Sequence, residues 1–358
     1  QSYTSAHSSF SGALNAGLDR FTTVLHGGFD GFDVTEKDPF RQSAFGTATD
    51  EKVSSPLHTL MRAVNIVSDS EAVQYNLATI PGVVQTTVTN HLLDTVENRA
   101  DALAIIDIDK LYDADTENTN SIAERNAYTI KQATDALSDR NINNSYGAAY
   151  APWVLAHDKN SNRSIWMPPS VAALGVLAST DKNDAPWFAP AGFTRGGLSE
   201  GAAGLPILDV SKRLTQDDRD SLYENGINPI AKFPAEGIVV FGQKTLQQTR
   251  SALDRINVRR LMIYIKRRIS FIASRLLFDP NSQVTWDRFK GQATAILDDV
   301  KAQFGIEEFR LVLDETTTTP DLIDQNVIYA KLLVKPTRAV EFFAIDFVVT
   351  NSGAGFED

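Results

Sequence analysis

Residues 103–108 read Leu103-Ala104-Ile105-Ile106-Asp107-Ile108, a short and almost continuously apolar run. Short apolar runs of this kind are typical of strands that are buried inside a sheet. The run therefore predicts a buried strand, and the segments on either side of it indicate what covers that strand.

Helical and strand-like patterns alternate around this strand. Apolar positions recur at helical spacing from Leu57 to Ile66 and from Ser121 to Asp139, and Tyr146 to His157 is a second strand-like run. The pair Pro168-Pro169 introduces a third helix that covers Val171 to Ala178. Alternation of helices and strands is typical of an α/β domain.

Composition divides the chain into three parts. Residues 1–45 are rich in Ser, Gly and Phe, and we expect them to be mostly loop, the remnant of a preceding domain. Glycines at 201 and 204 and Pro206 mark a break. We therefore expect an α/β domain over 46–209 and a C-terminal α+β domain over 210–358.

The C-terminal part contains two long helical patterns after a glycine-bracketed strand at 237–242. One pattern extends from Leu253 to Phe278, and the other extends from Val284 to Phe304, with Gly305 marking its end. Neither is interrupted by a proline.

Three strands are predicted near the C-terminus: Phe309 to Asp314, Val327 to Val334 and Val340 to Thr350. A turn over Lys335 to Arg338 would join the last two. Large apolar side chains occupy both faces of the last strand, so a solvated edge would not suit it and a neighbouring copy is expected to cover it. The interface candidates on it are Val340, Phe342, Phe343, Ile345, Phe347 and Val349.

Composition, net charge and the lack of cysteine exclude several classes of function. The chain has 358 residues, 42% of them hydrophobic and 22% charged, which is ordinary for folded domains. Its net charge of −11 argues against general binding to nucleic acid, and its lack of cysteine excludes disulfides and thiolate metal sites. No apolar stretch is long enough to span a bilayer.

Two acidic patterns raise the possibility of chemistry. Asp107 and Asp109 follow an apolar run as the paired aspartates of magnesium-dependent phosphatases do, and this enzyme class is the main alternative function. Residues 113–124 match a calcium-loop spacing in part, but Asn118 stands where glycine is needed. We favour a strand end whose aspartates cap the following turn for the first pattern, and a solvated acidic turn for the second. We therefore predict that the chain is not an enzyme and has no cofactor.

A strongly basic helix is the clearest charge asymmetry. No acid occurs from Arg255 to Phe278, whereas residues 279–358 have 14 acidic and 7 basic side chains. The basic helix could pair with acids of its own chain or of a neighbouring copy, and these two alternatives stay open. The interface candidates on this helix are Arg255, Arg259, Arg260, Lys266, Arg267 and Arg268.

Four stretches in this order resemble the contractile tail sheath proteins of T4-type bacteriophages. They are Gly27-Gly28-Phe29-Asp30-Gly31, Pro186-Trp187-Phe188-Ala189-Pro190-Ala191-Gly192, Ile256-Asn257-Val258-Arg259-Arg260-Leu261 with Tyr264-Ile265, and Phe278-Asp279-Pro280-Asn281 with Trp286. The resemblance implies a virion structural subunit that stacks as hexameric rings in a helical sheath. The chain looks like the C-terminal part of such a protein.

The same resemblance implies the partners and the mechanism. Copies of the subunit would surround a tail tube, meet baseplate and tail terminator proteins, and contract to drive the tube through the host envelope. Terminal strands would be exchanged between neighbours, with the C-terminal domain innermost against the tube. It implies assembly in the host cytoplasm and no cofactor. A receptor-binding virion protein is the second alternative.

Overall fold

The computed structural model describes residues 54–108, 129–158, 160, 162–199 and 207–341. Within them the chain forms a central α/β unit built on a five-stranded sheet, a three-stranded antiparallel sheet packed against that unit, and a C-terminal helix pair that carries a two-stranded sheet. The predicted fold class, α/β followed by α+β, is confirmed.

The central sheet has the strand order β1-β2-β3-β7-β8. Its first four strands are parallel, and β8 is antiparallel to β7. The strands are β1 (Leu77–Thr79), β2 (Leu103–Ile106), β3 (Gly147–Ala151), β7 (Ile227–Phe233) and β8 (Gly237–Val240). The predicted buried strand is confirmed as β2, which lies second in the sheet and is buried along its whole length.

Helices cover both faces of this sheet because alternate side chains of each strand point to opposite sides. Leu103 and Ile105 of β2 pack on one side against α4 (Pro169–Asn183). Ala104 and Ile106 pack on the other side. The helices on that second side are α2 (Thr86–Arg99), α3 (Ile130–Ser138) and α6 (Gln216–Glu224), and α1 (Ser55–Ile66) packs on α2.

The strand-like run from Tyr146 to His157 forms two strands, not one. It breaks after β3 at Pro152, and the chain then enters β4 (Val154–Asp158) of the smaller sheet. There β4 lies between β5 (Arg163–Met167) and β6 (Ile207–Val210), antiparallel to both. The short helix α5 (Gly192–Arg195) follows α4.

The central sheet continues past residue 209. Strand β7 lies between β3 and β8, with Pro229 paired opposite Ala151. The sequence did not predict this strand, because a proline cannot donate to a ladder and normally argues against an interior strand. The carbonyl of Pro229 still accepts from the Phe241 amide at 2.8 Å. The central sheet thus takes strands from both sides of residue 209, which itself lies in β6 of the smaller sheet.

The C-terminal unit contains the two predicted long helices. They are α7 (Ile256–Arg275), which follows a 3-10 turn (Ala252–Asp254), and α8 (Gln283–Ala302); the remaining elements are β9 (Ile306–Val312), α9 (Pro320–Asp324) and β10 (Lys331–Pro336). Leu261 and Ile265 of α7 pack against Leu297 and Val300 of α8 and against Ile306.

Two details of this unit differ from the sequence prediction. Phe304, not Gly305, has the left-handed backbone conformation after α8, with φ 61°. The predicted turn over 335–338 is wrong for its first half, because Lys335 and Pro336 belong to β10 and lie opposite Glu308 and Ile306 of β9. The β9–β10 ladder therefore extends through Pro336, although a proline usually ends a strand.

Trp187 joins the two units. It lies between α4 and α5, and its indole Nε1 donates to the Gln303 carbonyl at the end of α8 at 3.0 Å. Its ring meets Tyr264 of α7 edge to face, with centroids 5.2 Å apart. None of the helices among these residues is long and apolar enough to cross a membrane.

Candidate functional site: the basic helix and the C-terminal sheet

The first half of α7 is buried against the central unit. Arg260 is 3% exposed, and its Nη2 lies 2.6 Å from Asp181 Oδ2 on α4. Arg259 donates to the Ser145 hydroxyl and stacks 4.0 Å from the centroid of the Tyr146 ring. Burial lowers the pKa of Arg259, although an arginine with that shift stays charged. In this half the basic side chains contact their own chain.

The second half of α7 presents its cations to solvent. Lys266 donates to the Arg99 carbonyl at 3.4 Å, Arg267 to the Gln74 amide oxygen at 3.1 Å, and Arg268 to the Tyr264 hydroxyl at 3.2 Å. Among the residues described, no carboxylate lies within salt-bridge distance of these three cations. The exposed Phe271, Leu277 and Phe278 extend this surface. We call Lys266, Arg267, Arg268 and Arg275 the outer basic face.

Arg255, just before α7, holds the root of the C-terminal segment. Its guanidinium makes two hydrogen bonds to Glu341, at 2.6 and 2.9 Å. Gln243 donates to the same carboxylate at 3.1 Å. Burial and this carboxylate raise the pKa of Tyr223, whose hydroxyl also bonds Glu341. We call Arg255, Gln243, Tyr223 and Glu341 the clasp, because these bonds fix the position of Glu341, the last residue that the structure describes.

The predicted C-terminal strand, Val340 to Thr350, includes the clasp residue Glu341. Val340 is 80% exposed and therefore available to another molecule. Phe342, Phe343, Ile345, Phe347 and Val349 lie outside the described residues, as do Asp109 and the acidic stretch 113–124. Their role as interface residues stays a prediction.

The two-stranded sheet β9–β10 is packed on one face only. Leu332 and Val334 of β10 and Phe309 of β9 point to the core of the C-terminal unit, whereas Lys331, Leu333 and Lys335 are exposed. In the part of the chain that the structure describes, β9 and β10 pair only with each other. Both outer edges therefore have backbone groups that pair with no other described strand, and an extended strand could bond to them.

Asp107 has a structural role, in which both of its carboxylate oxygens accept hydrogen bonds. Its Oδ1 accepts from the Ser170 amide at 3.1 Å, and its Oδ2 accepts from the Ser170 hydroxyl at 2.7 Å and the Gly82 amide at 2.8 Å. Burial raises its pKa to about 6. The carboxylate thus caps the start of α4 from β2, and it has no exposed oxygen for the attack that a phosphatase requires.

Sequence reasoning missed Glu341 and an acidic surface in the C-terminal unit. Between Leu311 and Ala330 there are four exposed acids and no Lys or Arg: Asp314, Glu315, Asp321 and Asp324. We call residues 314–324 the acidic segment. Counting acidic and basic residues in short windows reveals this segment. Counting them over the whole of residues 279–358 hides it, because basic residues elsewhere in that range are included. In the described ranges, no three His, Asp or Glu side chains converge as a metal site.

Two curated relatives are similar over most of the chain. The tail sheath protein of Vibrio phage KVP40 is 31% identical over 309 residues, which are 83% of this chain and 45% of the relative. The tail sheath protein of Enterobacteria phage T4 is 29% identical over 307 residues, 84% of this chain and 45% of the relative. The chain therefore spans about half the length of the curated relatives it matches.

Solved structures agree on the fold. A chain of the anti-feeding prophage baseplate, in a 6-fold symmetrised structure, superposes with a TM-score of 0.63 at 22% identity, covering 84% of this chain and 74% of that one. A chain of the PVC sheath complex, from an extracellular contractile injection system in the contracted state, gives 0.61 at 22% identity, covering 80% and 74%.

Two family models account for almost all of the described residues. The phage tail sheath protein central domain matches residues 58–246, more than half of the chain, and the phage tail sheath C-terminal domain matches residues 248–350. The junction at 247 falls between β8 and α7, after the last strand of the central sheet. The chain belongs to the phage tail sheath protein family.

Proposed function

We propose that this chain is a structural subunit of a contractile tail sheath, which polymerises as stacked hexameric rings around a tail tube and contracts to drive the tube through the host envelope. Family membership supports this over the phosphatase and the receptor-binding alternatives. The observation that supports it most is the β9–β10 sheet, whose two outer edges pair with no other described strand and which lies shortly before Glu341 in the chain.

In this proposal the sheet is the joint between copies. An added strand gains backbone hydrogen bonds at an open edge, and alternate side chains of that strand fill the surface beside it. The apolar residues from Val340 to Val349 suit such a strand. Strand exchange of this kind keeps neighbours connected while the rest of each subunit changes its packing during contraction.

The energy of contraction would be stored in interfaces. A shape change that needs no nucleotide requires two packings of the same subunits that differ in free energy. Exposed charged surfaces suit such a transition, because they can exchange partners more easily than a dry core can. We assign this transition to the outer basic face, three of whose four cations (Lys266, Arg267 and Arg268) have no carboxylate partner among the described residues.

The proposed partners follow from the same assembly. They are further copies of the chain, a tail tube, and baseplate and tail terminator proteins, with assembly in the host cytoplasm and a final location in the virion tail. We also propose that the domains divide at about residue 247, the junction of the two family models, instead of near 209.

Electron microscopy of the purified protein tests the function. We expect rings or tubes for the intact chain, and dispersed particles after truncation behind Arg338, which removes the clasp acid and the predicted strand. The truncated chain should keep the circular dichroism spectrum and the cooperative melting of the central unit. Dispersed particles of the intact chain at every concentration would contradict the proposal.

A further inference from the structure

Helix α7 begins without a capping side chain. Its N-cap residue is Arg255, whose guanidinium has only donors and cannot accept a hydrogen bond from the first turn. The Ile256 amide donates to the Gln243 carbonyl at 2.8 Å. The amides of Asn257 and Val258 have no acceptor among the described residues. Two of the first three amides at the positive end of this 20-residue helix thus have no acceptor among the described residues.

A pocket of about 510 Å³ opens at this helix end. Its walls come from the first turn of α7, from the segment that precedes α7, and from the chain just before the clasp acid. The lining residues that matter here are Arg250, Asp254, Arg255, Asn257, Arg338 and Glu341. The pocket adjoins a larger groove of about 890 Å³, which shares Arg250, Asp254 and Arg255 with it.

The pocket has an excess of positive charge. Both of its acids pair with Arg255, Asp254 at 3.2 Å and Glu341 at 2.6 Å. Arg250 and Arg338 are exposed, and neither has a partner in the ranges that the structure describes. Two cations and the end of the helix dipole therefore act on the pocket together, which favours a carboxylate inside it.

A buried amide side chain also lies at this end of the helix. Asn257 is only 4% exposed, and its Oδ1 has no hydrogen-bond partner. A peptide with acidic side chains suits the pocket, because its carboxylates can face the arginines.

We propose that this pocket binds the acidic segment of a second copy of the chain. The four acids of the segment, Asp314, Glu315, Asp321 and Asp324, are exposed, the segment has no basic residue, and it contributes nothing to the lining of the pocket in its own copy. Its charge complements that of the pocket. The inference rests on the proposed function, since only a self-assembling chain brings the two surfaces of different copies together.

A charge swap in the intact chain tests the inference. We expect R250E/R338E to weaken self-association about tenfold or more, measured by sedimentation velocity at low ionic strength, because like charges would face each other across the pocket. E315K/D324K should weaken it similarly. The chain that carries all four changes should recover association. R62E/R163E reverses two exposed arginines on α1 and β5 and should associate as the wild type does.

Several outcomes would overturn the inference. They are normal association of R250E/R338E, an equal loss in R62E/R163E, and a chain with all four changes that stays as weak as either pair. Wild-type particles that never assemble would contradict the proposed function itself, whereas normal assembly with an inert pocket contradicts only this inference.

Discussion

Asp107 joins three elements through one buried carboxylate: β2, the turn that holds Gly82 and the first turn of α4. Hydrogen bonds from Ser170 and Gly82 favour the ionised form, but burial outweighs them and raises the pKa to about 6, above the ordinary value of 3.8. A group whose pKa is raised in the folded state makes the protein more stable below that pKa. The folded chain therefore gains stability from this residue as the pH falls through 6.

We expect Asp107→Asn to remove that pH dependence. The wild type should gain about 2 kcal/mol relative to the variant between pH 7.5 and 4.5, since one unit of pKa shift corresponds to 1.36 kcal/mol. Urea unfolding followed by tryptophan fluorescence at the two pH values measures it. Thr180→Val, which removes a buried hydroxyl from α4, is the control, and its loss of unfolding free energy should be the same at both pH values. A difference that does not vary with pH would refute this role.

Gly305 lets Val300 and the Trp187 ring approach the backbone more closely than any side chain at position 305 would allow. A Cβ at this position would lie 2.6 Å from Val300 Cγ1 and 3.1 Å from two atoms of the Trp187 ring. Because the indole is held by its bond to Gln303, the ring cannot move away freely. The residue thus sets how tightly the C-terminal unit meets the central one.

We expect Gly305→Ala to destabilise the chain by about 1–3 kcal/mol, as overpacking does. Gly291→Ala is the matched control, because nothing lies within 4 Å of its Cβ position on α8. That change should stabilise the chain by roughly 0.5–1 kcal/mol, since alanine favours a helix interior. Chemical denaturation of both variants checks the pair, and equal effects of the two substitutions would show that the approach to Trp187 is unimportant.

At the scale of elements, the clasp couples the central unit to the C-terminal segment. Its charges are partly shielded, with the Glu341 side chain 17% exposed and that of Arg255 27% exposed. The pair Lys335–Glu307 on the β9–β10 sheet is equally short, at 2.6 Å, but much more exposed. Exposed pairs contribute little because water screens them. The clasp should therefore hold the segment, and the surface pair should not.

We expect Glu341→Gln to raise the rate of tryptic cleavage after Arg338 several-fold, because the segment opens more often once the carboxylate is lost. Intact-mass spectrometry of the released fragment 339–358 gives the rate. Glu307→Gln should leave it unchanged. Cleavage that responds equally to both variants, or to neither, would mean that the clasp does not restrain the segment.

At the scale of the whole molecule, the basic residues of α7 fall into a buried group and an exposed group. Arg259 and Arg260 stabilise the contact between the units, and the outer basic face lies free on the surface. Reversal of a buried arginine leaves charges unpaired inside the protein and should unfold it. Reversal on the outer basic face should leave the fold intact and change only what it contacts.

We expect R267E/R268E to keep the wild-type melting temperature and to weaken assembly or contraction, with a loss that grows smaller as salt is added. Light scattering and electron microscopy at two ionic strengths measure both. R259E/R260E should instead lower the melting temperature strongly. If R267E/R268E assembles and contracts as the wild type does, the outer basic face has no intersubunit role.

Sequence patterns by themselves determined the buried strand β2, the helices α1, α4, α7 and α8, and the basic asymmetry, because each depends on periodicity or composition within one short segment. The tertiary structure alone decided which arginines of α7 are buried, where the sheet ends, and how Glu341, Arg338 and the start of α7 meet. Strand β7 shows the reason. Its Pro229 is a poor strand residue locally, yet its neighbours β3 and β8 supply the bonds and the burial. Long-range contacts of this kind are not encoded in any single window of the chain.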